Sequence, residues 1–343
     1  MVGRAVRCST AIALAALAVA CGGDAKPVVS ATVDAPPATV SERMLAMLPQ
    51  GAQVVIEIDL ARLRANPVVG PVVTRALADR VAALPAGVPA SPLGDAEQVV
   101  LAAYGVGTAQ AATLTVLSAP HELAGTTKIA DGFYAVGPPD WVDQTQQRVA
   151  LAQTGEAKFA ISAAPELLAL RRHAMPDRAP GAALRLTARL PFDARIALAR
   201  QTGLDAAPAQ VSAWADVADD LALIVDCDAA DPGDQRDPRH PSDAPRRLEA
   251  TLRGALAAVE DLPAVRMLGL PASLDGAKLI TRGNWVRAII AIGPAHLQRV
   301  VGRATALLNA AAVTPPAAPT PPAGPAPAPP KPPAAVPQGD RSP

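Results

Sequence analysis

The chain has 343 residues, and half of them are apolar, which is enough to bury a large core in one domain or two smaller ones. Its 31 Lys and Arg residues balance 31 Asp and Glu residues, and removing Arg4 and Arg7 with a signal peptide leaves 29 basic residues in the mature form. This balance argues against nucleic acid as a partner.

The N-terminus has the pattern of a secretion signal. Arg4 and Arg7 precede an apolar run over residues 11–20, and small residues end that run directly before Cys21. Ten apolar residues are too few for a membrane-spanning helix, which needs about 20. The pattern therefore predicts a signal peptide over residues 1–20.

The segment Leu17-Ala-Val-Ala-Cys21 resembles the bacterial lipobox. The resemblance implies cleavage before Cys21 and attachment of several acyl chains to it, so that the protein is anchored to a membrane through lipid. Its leucine stands one position earlier than usual, with Ala18 in the usual place, and ordinary secretion is the alternative. Gly22 follows the cysteine where an Asp would favour the inner membrane, so the resemblance implies the outer membrane.

Two segments of the mature chain are predicted to have no fixed structure. Residues 21–40 form the lipid anchor and a flexible tether rich in Pro, Ala, Val and Thr. Residues 314–343 contain 13 prolines among small residues and favour extended polyproline II over a packed core. This tail is interpreted as solubilising, with a docking or spanning role as the alternative.

Between these ends the pattern predicts a first α+β unit over residues 41–160. Apolar residues alternate along a strand beginning at Val54, and a helix follows with apolar residues at helical spacing up to Leu84. Further strands are predicted near 97–104, 112–118 and 128–136. The last of these leads through Gly137-Pro138 into a helix over 139–152.

A second α+β unit is predicted over residues 161–313. After a bridging helix near 163–173, with Ser162 as N-cap, the order is a strand at 184–190, a helix at 192–202, a hairpin at 211–217 and 221–227, and a helix through Leu248. Strands near 277–282 and 286–292 then lead through Gly293-Pro294 into a last helix over 294–309. The repeated strand, Gly-Pro and helix favour an internal duplication of two similar antiparallel-sheet-plus-helix units.

The chain carries no complete catalytic or metal-binding motif. His121-Glu122 begins like a zinc-protease motif but lacks the second histidine, and Gly105-Val-Gly107 precedes a strand where a nucleotide loop needs a helix. The acidic loop 228–243 overlaps a run of five Asp residues, and that run is interpreted as solvated, with a cation site as the alternative: Asp226, Asp228, Asp231, Asp234 and Asp237. We therefore predict no catalytic residues, no metal and no cofactor.

Four further positions have less specific interpretations. Glu57 and Asp59 are assigned to the solvent-facing side of their strand, with paired carboxylates for acid–base chemistry as the alternative. His296 is assigned to a solvated helix face. Cys227 lies on an apolar strand face and is interpreted as an inert thiol outside any intrachain disulfide, because Cys8 leaves with the signal peptide and Cys21 carries lipid.

Taken with the Cys21-Gly-Gly-Asp start, the segment Met44-Leu-Ala-Met-Leu-Pro49 and the strand from Val54 resemble uncharacterised lipoproteins of GC-rich Gram-negative soil bacteria. That group carries no established activity to transfer. The sequence favours a non-catalytic cell-envelope lipoprotein with a binding or structural role and other envelope proteins as possible partners. The alternatives are a carrier or sensor of an apolar ligand, and an enzyme of unrecognised type.

Overall fold

The computed structural model describes residues 39–78, 91–153, 165–174, 181–202, 207–229 and 243–313. The strands are β1 (Val54–Asp59), β2 (Gln98–Tyr104), β3 (Ala112–Ser118), β4 (Thr127–Ala130), β5 (Phe133–Val136), β6 (Leu184–Arg189), β7 (Gln210–Val217), β8 (Leu221–Asp228), β9 (Lys278–Arg282) and β10 (Trp285–Ile292). The α-helices are α1 (Val40–Met47), α2 (Leu60–Ala65), α3 (Gly70–Ala78), α4 (Pro139–Gln153), α5 (Pro165–Arg171), α6 (Phe192–Thr202), α7 (Ala244–Glu260), α8 (Pro263–Leu268), α9 (Pro271–Asp275) and α10 (Pro294–Val313). The signal peptide, Cys21, most of the tether and acidic loop, and the Pro-rich tail lie outside the described residues.

All ten strands belong to one antiparallel sheet, which confirms the α+β class. The strand order is β4-β5-β3-β2-β1-β6-β7-β8-β10-β9. The two halves of the chain meet in the centre, where β1 pairs with β6 and Glu57 lies opposite Arg185. From the centre outward, the order is β1, β2, β3, β5, β4 in the first half and β6, β7, β8, β10, β9 in the second half. In both halves the first three strands follow chain order and the last two are exchanged.

The two faces of the sheet are covered by different helices. We call the side of Val55 and Glu57 the front face, and the side of Ile56 the back face. On the front of the first half, α1, α4 and Leu167 of α5 pack over a core that includes Val55. On the back, α2 and α3 cover the first half, and α7, α8 and α9 cover the second half. The sheet is thus the middle layer between two sets of helices.

Local signals explain where several helices begin. Thr39 caps α1 in a capping box, because its hydroxyl accepts from the Glu42 amide at 3.2 Å while the Glu42 carboxylate accepts from the Thr39 amide at 3.1 Å. Asp59 ends β1 and caps α2 by accepting from the Arg62 amide at 2.8 Å. The helices α4 and α10 follow the two Gly-Pro turns, as the sequence predicts.

Three features differ from the sequence predictions. The strand expected over 128–136 is a hairpin of β4 and β5, which turns at Asp131-Gly132 with Gly132 at a φ of 75°. The short helices α8 and α9 were not predicted. The bridging helix is α5, which ends at Arg171 and not at the expected residue 173, and Ser162 lies outside the described residues.

The helices that follow the Gly-Pro turns pack on different faces. Val142 and Val149 of α4 join the core on the front face, whereas α10 contacts α3 and α8 behind the sheet. Across the described ranges, no helix is long and apolar enough to cross a membrane.

Candidate functional site

The front face near the centre of the sheet holds a concentration of buried charge. Glu57, Arg171, Arg185, Asp226 and Asp228 are each at most 9% exposed. Strand pairing brings opposite charges next to each other. Glu57 of β1 lies opposite Arg185 of β6, and Asp226 of β8 lies opposite Arg287 of β10. Buried charges are stable only when other groups compensate them, so their contacts define what this region can do.

The first contact group is centred on Arg171 at the end of α5. Its guanidinium donates to both carboxylate oxygens of Glu57, at 2.6 and 2.9 Å, and lies 3.5 Å from the Glu42 carboxylate. Burial lowers the pKa of Arg171, but the hydrogen bond and charge of Glu57 outweigh it and leave that pKa above its usual value. The two hydrogen bonds therefore fix α5 to β1.

Arg185 lies beside this pair on the front face. Burial, followed by the positive charge of Arg171, lowers the pKa of Arg185, and the carboxylates of Glu57 and Glu42 oppose that effect. Two arginines thus lie in the field of the same two carboxylates.

The second contact group is centred on Asp226. Arg287 donates to both oxygens of this carboxylate, at 2.7 and 2.6 Å, and His173 Nδ1 lies 2.9 Å from Oδ2. The His173 ring stacks on Trp285 with centroids 3.8 Å apart. Burial raises the pKa of Asp226, but the hydrogen bonds and charges of Arg287 and His173 outweigh it and hold that pKa below its usual value.

Both contact groups fasten the same element. Arg171 and His173 lie at and just beyond the end of α5, and the neighbouring Ala174 amide donates to the Ser212 hydroxyl of β7 at 3.3 Å. Arg287 also donates to the His173 carbonyl at 3.2 Å. The described contacts of these charges are thus mostly with one another, and they hold a short helix on the sheet.

The structure changes two sequence assignments here. Glu57 is 5% exposed, so its expected solvent-facing position is wrong, because α5 covers this part of the front face. Asp226 and Asp228, which open the predicted acidic run, are buried front-face residues of β8. Their neighbours from 230 to 242 lie outside the described residues.

The other carboxylates and histidines considered in the sequence are dispersed. Asp59 caps α2 by accepting from the Arg62 amide, while Asp216 forms an ion pair with the guanidinium of Arg62 at 2.5 Å. His121 is exposed and 4.0 Å from the exposed Asp95. Paired carboxylates at Glu57 and Asp59 are not observed as a site, because each is engaged with a different partner.

His296 is not on a solvated face. Its Nδ1 lies 3.1 Å from the Ser273 hydroxyl and its Nε2 lies 2.7 Å from the Gly269 carbonyl, so it joins α10 to the segment of α8 and α9. By contrast, Gly105 and Gly107 lie in the β2–β3 turn with positive φ angles, and the strand β3 follows them as the sequence predicts.

Cys227 is fully buried on the back face, as the alternation predicts. It is disulfide-bonded, which corrects the expectation of an inert thiol. The other half of that disulfide lies outside the described residues.

Two further features of the described residues bear on ligands. Within the described ranges, no group of three or more His, Cys, Asp or Glu side chains is placed to hold a metal ion. An open groove of about 560 Å³ lies between α2 and α3, with Arg64, Asn66, Thr74 and Arg75 among its lining residues. Its open, partly polar form is not the closed apolar pocket that a carrier of an apolar ligand requires.

The sequence analysis did not identify Arg171, Arg287 or Trp285. Arg287 and Asp226 each interrupt an apolar strand, and that pattern could have marked them as buried or functional. Arg171 had no comparable signal, since an arginine near a helix end is usually a surface residue.

No family model and no curated protein matches the chain. Among solved structures, the chain is similar to crystal form I of TP0453, with 9% sequence identity. The match covers 76% of this chain and 96% of that one, at a TM-score of 0.35. Such a score carries no argument about function.

Proposed function

We propose that this protein is a lipoprotein of the cell envelope that acts by binding or by structural support, without catalytic turnover. The N-terminal pattern, ending at Cys21, supports the lipid anchor, and Gly22 supports delivery to the outer membrane. The observation that carries the non-catalytic part is the mutual pairing of buried charges on the front face.

An enzyme places titratable groups where a substrate can reach them. Here the Glu57 carboxylate accepts two hydrogen bonds from Arg171, and the Asp226 carboxylate accepts two from Arg287. These contacts occupy the carboxylates that would be the first candidates for acid–base chemistry. Their described partners fasten α5, and this favours a structural role for the cluster.

We also propose that the fold arose by internal duplication. In each half the strand that precedes the Gly-Pro turn, β5 or β10, lies between the third strand and the outermost strand. The opposite packing of α4 and α10 requires the last helix to have moved after the duplication. A superposition of the halves that failed to align β5 with β10 would contradict this proposal.

In the mature chain, the proposed lipid anchor and an intrachain disulfide at Cys227 would both use the sulfur of Cys21. Cys8 leaves the chain with the signal peptide, and a Cys21 sulfur that carries a diacylglycerol thioether cannot also form a disulfide. The Cys21 sulfur therefore takes part either in the lipid anchor or in a disulfide, and not in both. Mass spectrometry of the N-terminal peptide from the mature protein distinguishes the two states of Cys21.

The anchor is tested by metabolic labelling with a palmitate analogue. We expect the native chain to be labelled and to fractionate with outer membranes, and a Cys21→Ser variant to lose both properties. A Cys8→Ser variant is the matched control and should behave like the native chain. A Cys21→Ser variant that still carries label, or an N-terminal peptide with Cys21 in a disulfide, would contradict the proposal.

The non-catalytic role is tested by Asp59→Ala, Asp216→Ala and His121→Ala, with the phenotype of a deletion strain as the readout. We expect each variant to restore the strain, since Asp59 caps α2, Asp216 pairs with Arg62, and His121 is exposed beside Asp95. Circular dichroism and membrane fractionation verify that each variant is folded and localised. A folded, localised variant that fails to restore the strain would favour an enzyme or a specific ligand site.

A further inference from the structure

The two edges of the sheet are finished differently. The edge strand β4 has four residues, an irregular register between Lys128 and Ala130, and a cover from α4, whose Gln146 side chain donates to the Lys128 carbonyl at 3.1 Å. Bulges and covering helices are common ways to block an edge. The first edge of the sheet is therefore closed to further strands.

The edge at β9 is more regular. Its five residues pair with β10 without a register shift, and a two-residue turn at Gly283-Asn284 joins the strands. In such a hairpin the residues flanking the turn form a hydrogen-bonded pair, so the outward backbone groups belong to Leu279 and Thr281. Within the described ranges, no strand pairs with these groups.

The side chains of β9 divide between a core side and an exposed side. Leu279 packs into the core behind the sheet, and the Thr281 hydroxyl donates to Glu249 of α7 at 2.9 Å. Lys278, Ile280 and Arg282 share the front face, where Ile280 lies opposite Arg287. Lys278 and Arg282 are exposed, and neither forms an ion pair with any described residue. The front side of this edge thus presents an apolar side chain between two cationic ones. The outward backbone groups of Leu279 and Thr281 lie beside them.

A second copy of this chain does not fit that edge. Antiparallel pairing of two β9 strands about Ile280 places Lys278 opposite Arg282 on the same face, and parallel pairing places each cation opposite itself. Like charges directly opposite each other in a sheet are destabilising. The edge favours a strand of opposite charge.

We propose that β9 binds an extended acidic segment of another protein as an eleventh strand. The segment would carry Asp or Glu opposite Lys278 and Arg282 and an apolar residue opposite Ile280, and it would bond to the backbone of Leu279 and Thr281. Backbone bonds supply affinity in this mode of recognition, and alternate side chains supply specificity. The inference rests on the proposed function as a binding protein and names the class of partner.

The experiment uses the detergent-solubilised mature protein and a fluorescent heptapeptide. The peptide has the sequence Thr-Glu-Thr-Val-Thr-Glu-Thr. A control peptide has lysine in place of both glutamates. We expect fluorescence anisotropy to show binding of the acidic peptide, with a Kd of about 100 μM, and no binding of the lysine peptide. Failure to bind the acidic peptide at about 1 mM would overturn the proposal.

Variants separate the contribution of charge from that of the backbone. A Lys278→Glu, Arg282→Glu double variant should bind the acidic peptide at least about tenfold more weakly and should gain binding of the lysine peptide. Thr281→Pro removes the backbone N–H of Thr281, which points away from β10. It should weaken binding of the acidic peptide to the otherwise native protein and of the lysine peptide to the double variant. Lys128→Glu at the opposite edge is the control and should leave binding unchanged.

An unchanged affinity in the double variant would place the peptide elsewhere and overturn the proposal. The assay needs neither lipid nor membrane localisation. Absence of the palmitate label on the native chain would therefore contradict the proposed anchor and leave this measurement unaffected.

Discussion

Single residues matter most where a charge is buried with few partners. Glu57 and Arg171 are 5% and 8% exposed, and the first lies in β1 while the second lies at the end of α5. Removal of one member of such a pair leaves the other charged and desolvated. The exposed pair of Lys128 and Asp131 has no such cost, because water replaces the lost partner.

We expect Glu57→Gln to lower the free energy of unfolding by about 3 kcal/mol, since Arg171 then keeps only the Glu42 carboxylate, 3.5 Å away, as a counter-charge. Urea denaturation followed by circular dichroism measures this change. Asp131→Asn removes a carboxylate from an exposed pair and should change the same free energy by less than about 0.5 kcal/mol. Equal effects of the two substitutions would contradict the buried pairing.

Acid sensitivity follows from Asp226. Because its pKa is lower in the folded chain than in the unfolded chain, its contribution to stability is complete above the unfolded value of about 3.9 and is lost as pH falls below it. In Asp226→Asn the loss of stability between about pH 5 and pH 2 should therefore be smaller than in the native chain. Urea midpoints measured across that range test this, and parallel curves for the two proteins would contradict it.

At the scale of elements, the alternation of apolar residues predicted most strands and the longer helices, because burial on one face imposes a period of two or 3.6 residues. The β4–β5 hairpin was missed although Asp131-Gly132 is a strong turn signal. The contacts of Arg171 with β1 and of Arg287 with β8 could not be predicted. They depend on how distant elements pack, and periodicity carries no information about that.

The β2–β3 turn depends on a glycine at a close contact. Gly107 has a φ of 83°, and a Cβ on it would lie 2.8 Å from the Ala194 Cα of α6. Gly125 has a similar φ of 75°, but a Cβ there would meet nothing within 4 Å. The two positions share the conformational strain of a non-glycine residue and differ in the steric contact.

Gly125→Ala should therefore cost about 1 kcal/mol of stability, and Gly107→Ala should cost at least about 2 kcal/mol. Thermal unfolding of the two variants beside the native chain measures the difference. The same loss in both variants would show that α6 moves away from the turn without cost.

At the scale of the whole molecule, one sheet joins both halves of the chain. The central pairing of β1 with β6 brings together residues that are about 130 positions apart in sequence. Arg171, from the second half, also neutralises Glu57 in the first. The first half therefore lacks both a neighbouring strand and a counter-charge when it is alone.

We expect a chain that ends at residue 160 to associate through the open edge of β1, which presents Val54, Ile56 and Ile58 on one side. Size-exclusion chromatography with light scattering should show oligomers. Addition of Ile56→Lys to the shortened chain should return it toward a monomer, since a charge on an edge opposes pairing. A shortened chain that is monomeric and unfolds cooperatively would contradict this expectation.

The central position of β1 also sets the order of events during synthesis. A chain that emerges from its N-terminus completes β1 to β5 while β6 has not yet appeared, so the strand destined for the middle of the sheet is temporarily its border. During that interval β1 can pair with β1 of a neighbouring nascent chain, because β6 is not yet available. The edge of β1 is then protected only by fast elongation or by a chaperone that covers the six residues of β1. This protection is needed until β6, which ends at Arg189, has been synthesised.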